Sequence, residues 1–512
     1  MTSTPRGTTT RLDLAQSLLV NLDQRLGAAA NVLLGAGTAL APGEAPLGET
    51  AARALPQLIE LCADHLRHDV RWLVLTALRG SYPTTTELVA FGRYIARAPA
   101  RLAESAVLED LIRSRGRGRL DLPMDVVSDG VVVDVDFTAR NDTHTGIHRV
   151  VRETLPRWRT HQTFTAGAWI DEYSALRSLD PVERARVFEY GAAPGGDAGP
   201  GAEPRLVVPW HSVVILLDVP NAAASDYLAA MGALSGNELV LVGYDMIPVT
   251  SAETRPFGDS LAFAQHLSVV KHARRVAAIS RSATQEFRGF GSALAAQGLA
   301  GPTVTEVLLT EDAPPAGQPV VLEGEPGAGP RRPRVVCIGS REPHKNQRAV
   351  VHAAQRLWAE GLDFELELIG GPGWNADVLA PAIARVKALG LPLIDSGRVD
   401  DNELWTALRT ADFSVFISLH EGYGLPLADS LACGTPAITS NFGSQQEIAE
   451  LGGCLTVDPR DDDQVTDAMR LLLTDPDTLA RLRTEAAARP RRSWDDYADE
   501  LWQTLVPAKG TA

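Results

Sequence analysis

FSVFISLHEGYGLPLADSLACGTPAITS, residues 413–440, reads as strand, turn, helix, turn, strand. FSVFIS and PAITS are short apolar runs of the kind buried on both faces of a parallel sheet. Between them Pro426 suits the first turn of a helix, where its missing N–H would be unpaired anyway. Gly422 and Gly424 allow close backbone approach and positive φ. Glu421 stands just before that helix and Asp429 about two turns along it. A helix that starts at a strand's carboxyl end aims free backbone N–H groups outward, which makes an anion site. Acids there can accept hydrogen bonds from vicinal hydroxyls, so the stretch suits a polyhydroxylated ligand that also carries phosphate, such as a nucleotide sugar. The spacing alone fits equally well a capped surface helix with two solvated acids.

Upstream, IGSREPHKNQ (338–347) follows the apolar run RVVCI and sets Arg341, His344 and Lys345 at another strand's carboxyl end. A lysine and an arginine there would meet a diphosphate, with Asn346 capping the next helix. FELELIGG and LPLIDSG complete a unit in which strand and helix alternate. Before it, VVVDVDF (131–137), RLVVP (205–209), VVILLDV (213–219), ELVLVG (238–243) and RVAAIS (275–280) read as strands of a second such unit. Residues 192–204 have the composition of a surface loop and 312–333 that of a linker. Continuous apolar strands separated by amphipathic helices predict two doubly wound α/β units with parallel sheets. The cleft between them is the expected active site.

The first hundred-odd residues read as helical. Leu14, Leu18, Leu22 and Leu26 repeat at helical spacing, as do Cys62, Leu66 and Val70. Thr84 and Glu87 form a capping-box pattern. His65 and His68 lie on a charged face and read as solvated. Nothing in this region points to chemistry, so residues 1–125 are expected to form an added helical domain.

At 512 residues the chain should hold about two to four domains. A net charge of −16 argues against coating nucleic acid, which needs a basic surface. The cysteines (Cys62, Cys337, Cys433, Cys454) are scattered without metal-ligand spacing, in keeping with a reducing cytoplasm. MTSTPRGTTTRLDLAQ lacks an apolar leader core, and no apolar run reaches membrane-spanning length. A cytoplasmic protein is expected, with peripheral membrane contact left open.

Taken together, these residues resemble a known family. EGYGLPLAD followed by ACGTP resembles the E-x7-E signature of retaining GT-B glycosyltransferases of family 4, and REPHKN resembles that family's EPRKN loop. GRVDDNELWTALRTADFSVFISLHEG is similar to the run leading into the signature. TGIHRV (145–150) and YDMIP (244–248) look like the TGI-x-RV and DLIP segments of a subset that includes bacterial polysaccharide mannosyltransferases. The resemblance spans roughly residues 130–505.

It implies a GT-B fold, two Rossmann-like domains facing a cleft: an acceptor-side domain at 126–322, a donor domain at 323–492 and a helix at 493–512 packing back on the first. It also implies roles. Lys345 and Arg341 would bind the donor diphosphate with the backbone of Gly422, Tyr423, Gly424 and Leu425. Glu421 would contact the sugar, with nucleophile as its fallback role, and Asp429 the ribose. Glu447 would support the turn near the phosphates. Gly146 and its neighbours would approach the diphosphate from the other domain, and Asp245 would face the substrate there. Asp429 replaces the usual glutamate, and Ser340 stands where many members carry arginine.

The implied reaction is metal-independent transfer of a hexose, with retention, from a GDP- or UDP-linked donor to a saccharide or natural-product acceptor. No cofactor is implied. A GT-B nucleotide-sugar isomerase and a noncatalytic GT-B module remain alternatives, and self-association through the N-terminal helices stays open.

Overall fold

The computed structural model describes residues 11–35, 46–64, 66–97, 107, 118–143, 145–190, 203–314, 331–374 and 376–508. His65 and most of the segments read as surface loop and linker lie outside the described residues.

Among the described residues the apolar runs of the C-terminal unit become a parallel sheet of six strands. They are β10 (Arg334–Ile338), β11 (Glu365–Ile369), β12 (Leu393–Gly397), β13 (Phe413–Phe416), β14 (Ala437–Ser440) and β15 (Cys454–Val457). Their order is β12-β11-β10-β13-β14-β15. The chain therefore winds outward in opposite directions from β10 and β13. The loops leaving their carboxyl ends diverge and open a crevice, the usual ligand position in such sheets. Those two loops are the basic and acidic stretches of the sequence.

Among the described residues the N-terminal unit has nine strands in the order β1-β5-β4-β3-β2-β6-β7-β8-β9. They are β1 (Met124–Ser128), β2 (Val131–Asp134), β3 (Thr165–Trp169), β4 (Leu176–Ser178), β5 (Leu206–Trp210), β6 (Val213–Leu216), β7 (Glu238–Gly243), β8 (Arg275–Ala278) and β9 (Thr303–Glu306). This sheet is mixed, where an all-parallel one was expected: β4 runs antiparallel to both β3 and β5. Only residues 170–175 join β3 to β4. That is too short for the crossover a parallel pair requires, so the chain must turn straight back.

The N-terminal helices Arg11–Leu34, Glu49–Cys62, His68–Arg79 and Thr85–Ile95 share one hydrophobic core with this sheet. Trp72, Tyr82 and Trp169 are wholly buried in a ladder with centroid spacings of 5.1 and 6.0 Å. The Tyr82 hydroxyl donates to the Val207 carbonyl of β5. Arg25, buried, donates to the carbonyls of Ala77 (2.8 Å), Leu120 (2.7 Å) and Leu122 (2.9 Å), satisfying a charge that would otherwise be costly in a core. The Thr84–Glu87 capping box forms. The stripe through Cys62, Leu66 and Val70 does not: the helix stops at Cys62 and Leu66 is 75% exposed.

The last helix, Trp494–Leu505, lies on Gly146–His161 of the N-terminal unit. There the Trp158 indole N–H donates to the Ala498 carbonyl at 2.8 Å. Among the described residues no helix is long and apolar enough to cross a membrane.

Candidate active site

The crevice between β10 and β13 brings the acidic and basic loops together. The backbone N–H of Leu419 donates to the His344 carbonyl at 2.7 Å, fixing one loop against the other. Lys345 Nζ lies 2.6 Å from Glu421 Oε1 and 5.6 Å from the centre of the Phe416 ring. Burial pushes the Glu421 carboxyl up, but Lys345 and His344 outweigh it and hold the group below its ordinary value. Gly424 has φ +114°, a conformation costly for any residue with a Cβ, and starts the helix Leu425–Ala432 with Pro426 in its first turn. The Ser444 hydroxyl donates to the Glu421 carbonyl at 3.0 Å.

Other members of the basic loop are engaged elsewhere. Arg341 pairs with Asp395 in the middle of β12, which Lys387 also reaches at 3.1 Å. Ser340 donates to Glu342 at 2.7 Å, and Glu342 accepts in turn from Arg255 of the N-terminal unit at 3.1 Å. Asn346 occupies the position before the next helix, but its side chain does not cap it. The residue is left-handed, with φ +53°, and its amide donates to the Pro459 carbonyl at 2.7 Å.

From across the cleft the N-terminal unit grips the acidic loop. A Cβ on Gly422 would stand 2.4 Å from the Tyr244 carbonyl oxygen and 3.2 Å from Asp245 Cβ, so only glycine permits this approach. The Ser280 hydroxyl donates to the Gly422 carbonyl at 2.6 Å, and that of Tyr423 to the Leu309 carbonyl at 3.2 Å. Gly146 faces Leu425. His420 bonds to Ser251 and to Glu286. Glu447 is engaged with the N-terminal unit. It caps the helix Arg281–Ala295, accepting from the backbone N–H groups of Arg281 (2.9 Å) and Ser282 (2.6 Å).

Asp429 is also engaged across the cleft. Arg149 Nη1 lies 2.9 and 2.7 Å from its two oxygens, and the Arg149 guanidinium sits 5.4 and 5.5 Å from the ring centres of Trp405 and Trp494. Sequence reasoning quoted TGIHRV but missed Arg149, and it passed over His420, Ser251, Glu286 and Ser280. Arg149 follows Gly146 by three positions on a helix, the only local sign that both face the cleft.

Buried acids lie at the strand ends of the N-terminal unit. Burial, reinforced by Asp136, pushes Asp134 up to about 8, and burial pushes Asp218 to about 7 and Asp245 to about 6. A carboxyl with a raised folded-state pKa favours the fold fully below its unfolded value and loses that contribution as pH rises through the folded one. For Asp134 the window runs from about pH 4 to pH 8, with a loss on the order of 5 kcal/mol. Urea unfolding should show stability falling across this window and the slope shrinking in Asp134→Asn. The slope is the readout, because the Asn amide also misplaces a donor against the Trp169 indole N–H, 2.8 Å from Asp134. An unchanged slope would refute the assignment.

Among the described residues no group of three or more His, Cys, Asp or Glu is arranged to hold a metal ion.

Residues 323–489 match the family described as Glycosyl transferases group 1. Serotype-specific mannosyltransferase WbdA of Escherichia coli is 25% identical over 329 residues, 62% of this chain and 38% of that protein. O-antigen chain mannosyltransferase B of Escherichia coli is 35% identical over 130 residues, 25% of this chain and 34% of its own. MMP alpha-(1->4)-mannosyltransferase of Mycolicibacterium hassiacum is 31% identical over 181 residues, 34% of this chain and 43% of its own. The chain thus spans well under half the length of these relatives. In overall fold it is similar to Anabaena HepE in complex with UDP and glucose, with a TM-score of 0.52 at 12% identity over 74% of this chain and 99% of that one. The UDP-forming trehalose-phosphate synthase of Burkholderia xenovorans gives the same values. Two doubly wound sheets face each other across the cleft as in these GT-B structures, and the C-terminal sheet lies within the residues that match Glycosyl transferases group 1.

Proposed function

We propose that this protein transfers a hexose from a nucleotide sugar to a hydroxyl of a saccharide acceptor, with retention at the anomeric carbon and without a metal. The Lys345–Glu421 pair in the crevice between β10 and β13 carries the reading. Mannose is the first sugar to test, because the three relatives described above are named mannosyltransferases. In this reading the diphosphate lies against Lys345 and the start of the helix Leu425–Ala432, exchanging water for a fixed cation and backbone N–H groups. Charge developing on the leaving oxygen is stabilised there. Glu421, freed from Lys345, accepts hydrogen bonds from the sugar. The anomeric carbon–phosphate oxygen bond breaks as the acceptor oxygen bonds to the same face, and the acceptor's proton passes to the departing phosphate.

The test is a panel of UDP-, GDP-, dTDP- and ADP-linked sugars, read by thermal stabilisation and by nucleoside diphosphate release with saccharide acceptors. A ligand at a hundred times its dissociation constant should add about 2.7 kcal/mol. No binding and no release across the panel would refute the reading. The rate should be the same with and without EDTA. Loss with EDTA and recovery with Mg²⁺ or Mn²⁺ would assign the electrostatic work to a metal instead.

A further inference from the structure

We propose that His420 is a positioning residue through which contact with the N-terminal unit sets Glu421 in place for reaction. This rests on the transferase reading above. His420 immediately precedes Glu421, and both its ring nitrogens are bonded to the opposite unit. Nδ1 lies 2.8 Å from the Ser251 hydroxyl, and Nε2 lies 2.8 Å from Glu286 Oε1. Ser251 ends the short helix Ile247–Thr250, and Glu286 sits in Arg281–Ala295.

Glu286 is itself fixed. Its second oxygen accepts from the Met246 backbone N–H at 2.9 Å. Two residues beyond His420, the Gly422 carbonyl accepts from Ser280 and the Gly422 Cα rests against the Tyr244 carbonyl. Residues 420 and 422 are therefore each held by two groups of the N-terminal unit, Ser251 and Glu286 on one side and Ser280 and Tyr244 on the other, and Glu421 lies between them. Separating the units breaks every one of these contacts. The chain linking Glu421 to its own unit then has one fewer rigid support on either side.

The same contacts place a titratable switch beside the reacting groups. His420 faces Glu286 and Asp245 on the N-terminal unit and Glu421 on its own loop. His344 and Lys345, from the loop after β10, stand against Glu421. Burial lowers the His420 pKa, but the Glu286 hydrogen bond and the surrounding carboxyls outweigh it and hold the imidazole above its ordinary value. As imidazolium it donates from both nitrogens, to Glu286 and to Ser251. Once neutral it can donate from only one.

In the transferase reading above, the groups that hold the diphosphate, Lys345 and the start of the helix Leu425–Ala432, belong to the C-terminal unit. Loss of the His420 contacts should therefore lower turnover without weakening nucleotide binding. The test uses full-length protein, the nucleotide sugar identified by the panel, and the matching nucleoside diphosphate for calorimetry. His420→Gln and Glu286→Gln should each lower kcat about ten- to a hundredfold, with the nucleotide Kd unchanged within about threefold. The double variant should be no worse than the poorer single, because both remove one contact. The wild-type fall in kcat as pH rises past the His420 pKa should vanish in His420→Gln.

Should His420→Gln misfold, Glu286→Gln and Ser251→Ala carry the same test from the other unit. Turnover within about threefold of wild type in the singles, additive losses in the double, or a retained pH limb would each overturn the proposal. An inactive wild-type protein would instead count against the transferase reading, which keeps the two failures apart.

Discussion

Lys345→Ala should lower turnover by about a hundredfold or more. The lysine meets the acidic loop at 2.6 Å from Glu421, while Arg341 is engaged by Asp395. Its ammonium can therefore exchange Glu421 for a diphosphate whose charge grows as the glycosidic bond breaks, an interaction stronger in the transition state than in the ground state. The substitution also carries a structural cost. Glu421 is 9% exposed, and without Lys345 it becomes a buried charge lacking its partner. Its depressed pKa means that Glu421 contributes stability above the unfolded value of about 4.3, lost as pH falls through the folded one. The single variant should therefore be less stable than wild type at neutral pH. Lys345→Ala combined with Glu421→Gln should regain stability by removing the orphaned charge, yet remain as slow as the single or slower. Activity within a few-fold of wild type in Lys345→Ala would sink the phosphate assignment. Recovery of turnover in the double would show that the loss came from a disturbed fold and not from missing charge.

Much of the C-terminal unit was legible because each strand is a short apolar run set between glycine or proline signals. FSVFIS, RVVCI and FELELI need both faces covered, and that requirement fixes a parallel sheet before any contact is known. The N-terminal unit was harder. β4 is three residues, LRS, with no periodicity to detect, and its direction follows from the brevity of a connection and not from composition. β1, β3, β9 and β15 are also short, at four or five residues each. At the site, residue types were readable and partners were not. The sequence shows a lysine and an acid that belong at strand ends. It cannot show that Glu447 serves a helix 165 residues upstream, or that His420 is held by two side chains of the other unit. Gly422 was readable as permissive, but the reason for it is a carbonyl of Tyr244 that lies far away in the chain.

Arg149→Ala should cost about 3–5 kcal/mol of stability, because it removes one partner of a buried ion pair and leaves the other uncompensated. The Arg149 and Asp429 side chains are 13% and 8% exposed, and the two indoles beside the guanidinium strengthen its hold through their ring faces. Burial pushes the Asp429 carboxyl up while Arg149 opposes the shift, so without the arginine this acid has to take up a proton. Arg149→Met with Asp429→Leu should recover most of the loss, since an apolar pair of similar volume avoids desolvating two charges. A loss below about 1 kcal/mol in Arg149→Ala would mean that the pair is solvated in solution. The same variants decide what Asp429 does. If it serves the donor's ribose, Arg149 shares that contact from the other unit, and nucleotide binding is one of the forces that draws the units together. The stable double variant should then bind the nucleoside diphosphate about tenfold or more weakly, as measured by calorimetry. Wild-type affinity in a double variant of recovered stability would reduce the pair to a brace between the two units. The shorter aspartate would then be explained by the arginine it has to meet and not by the donor.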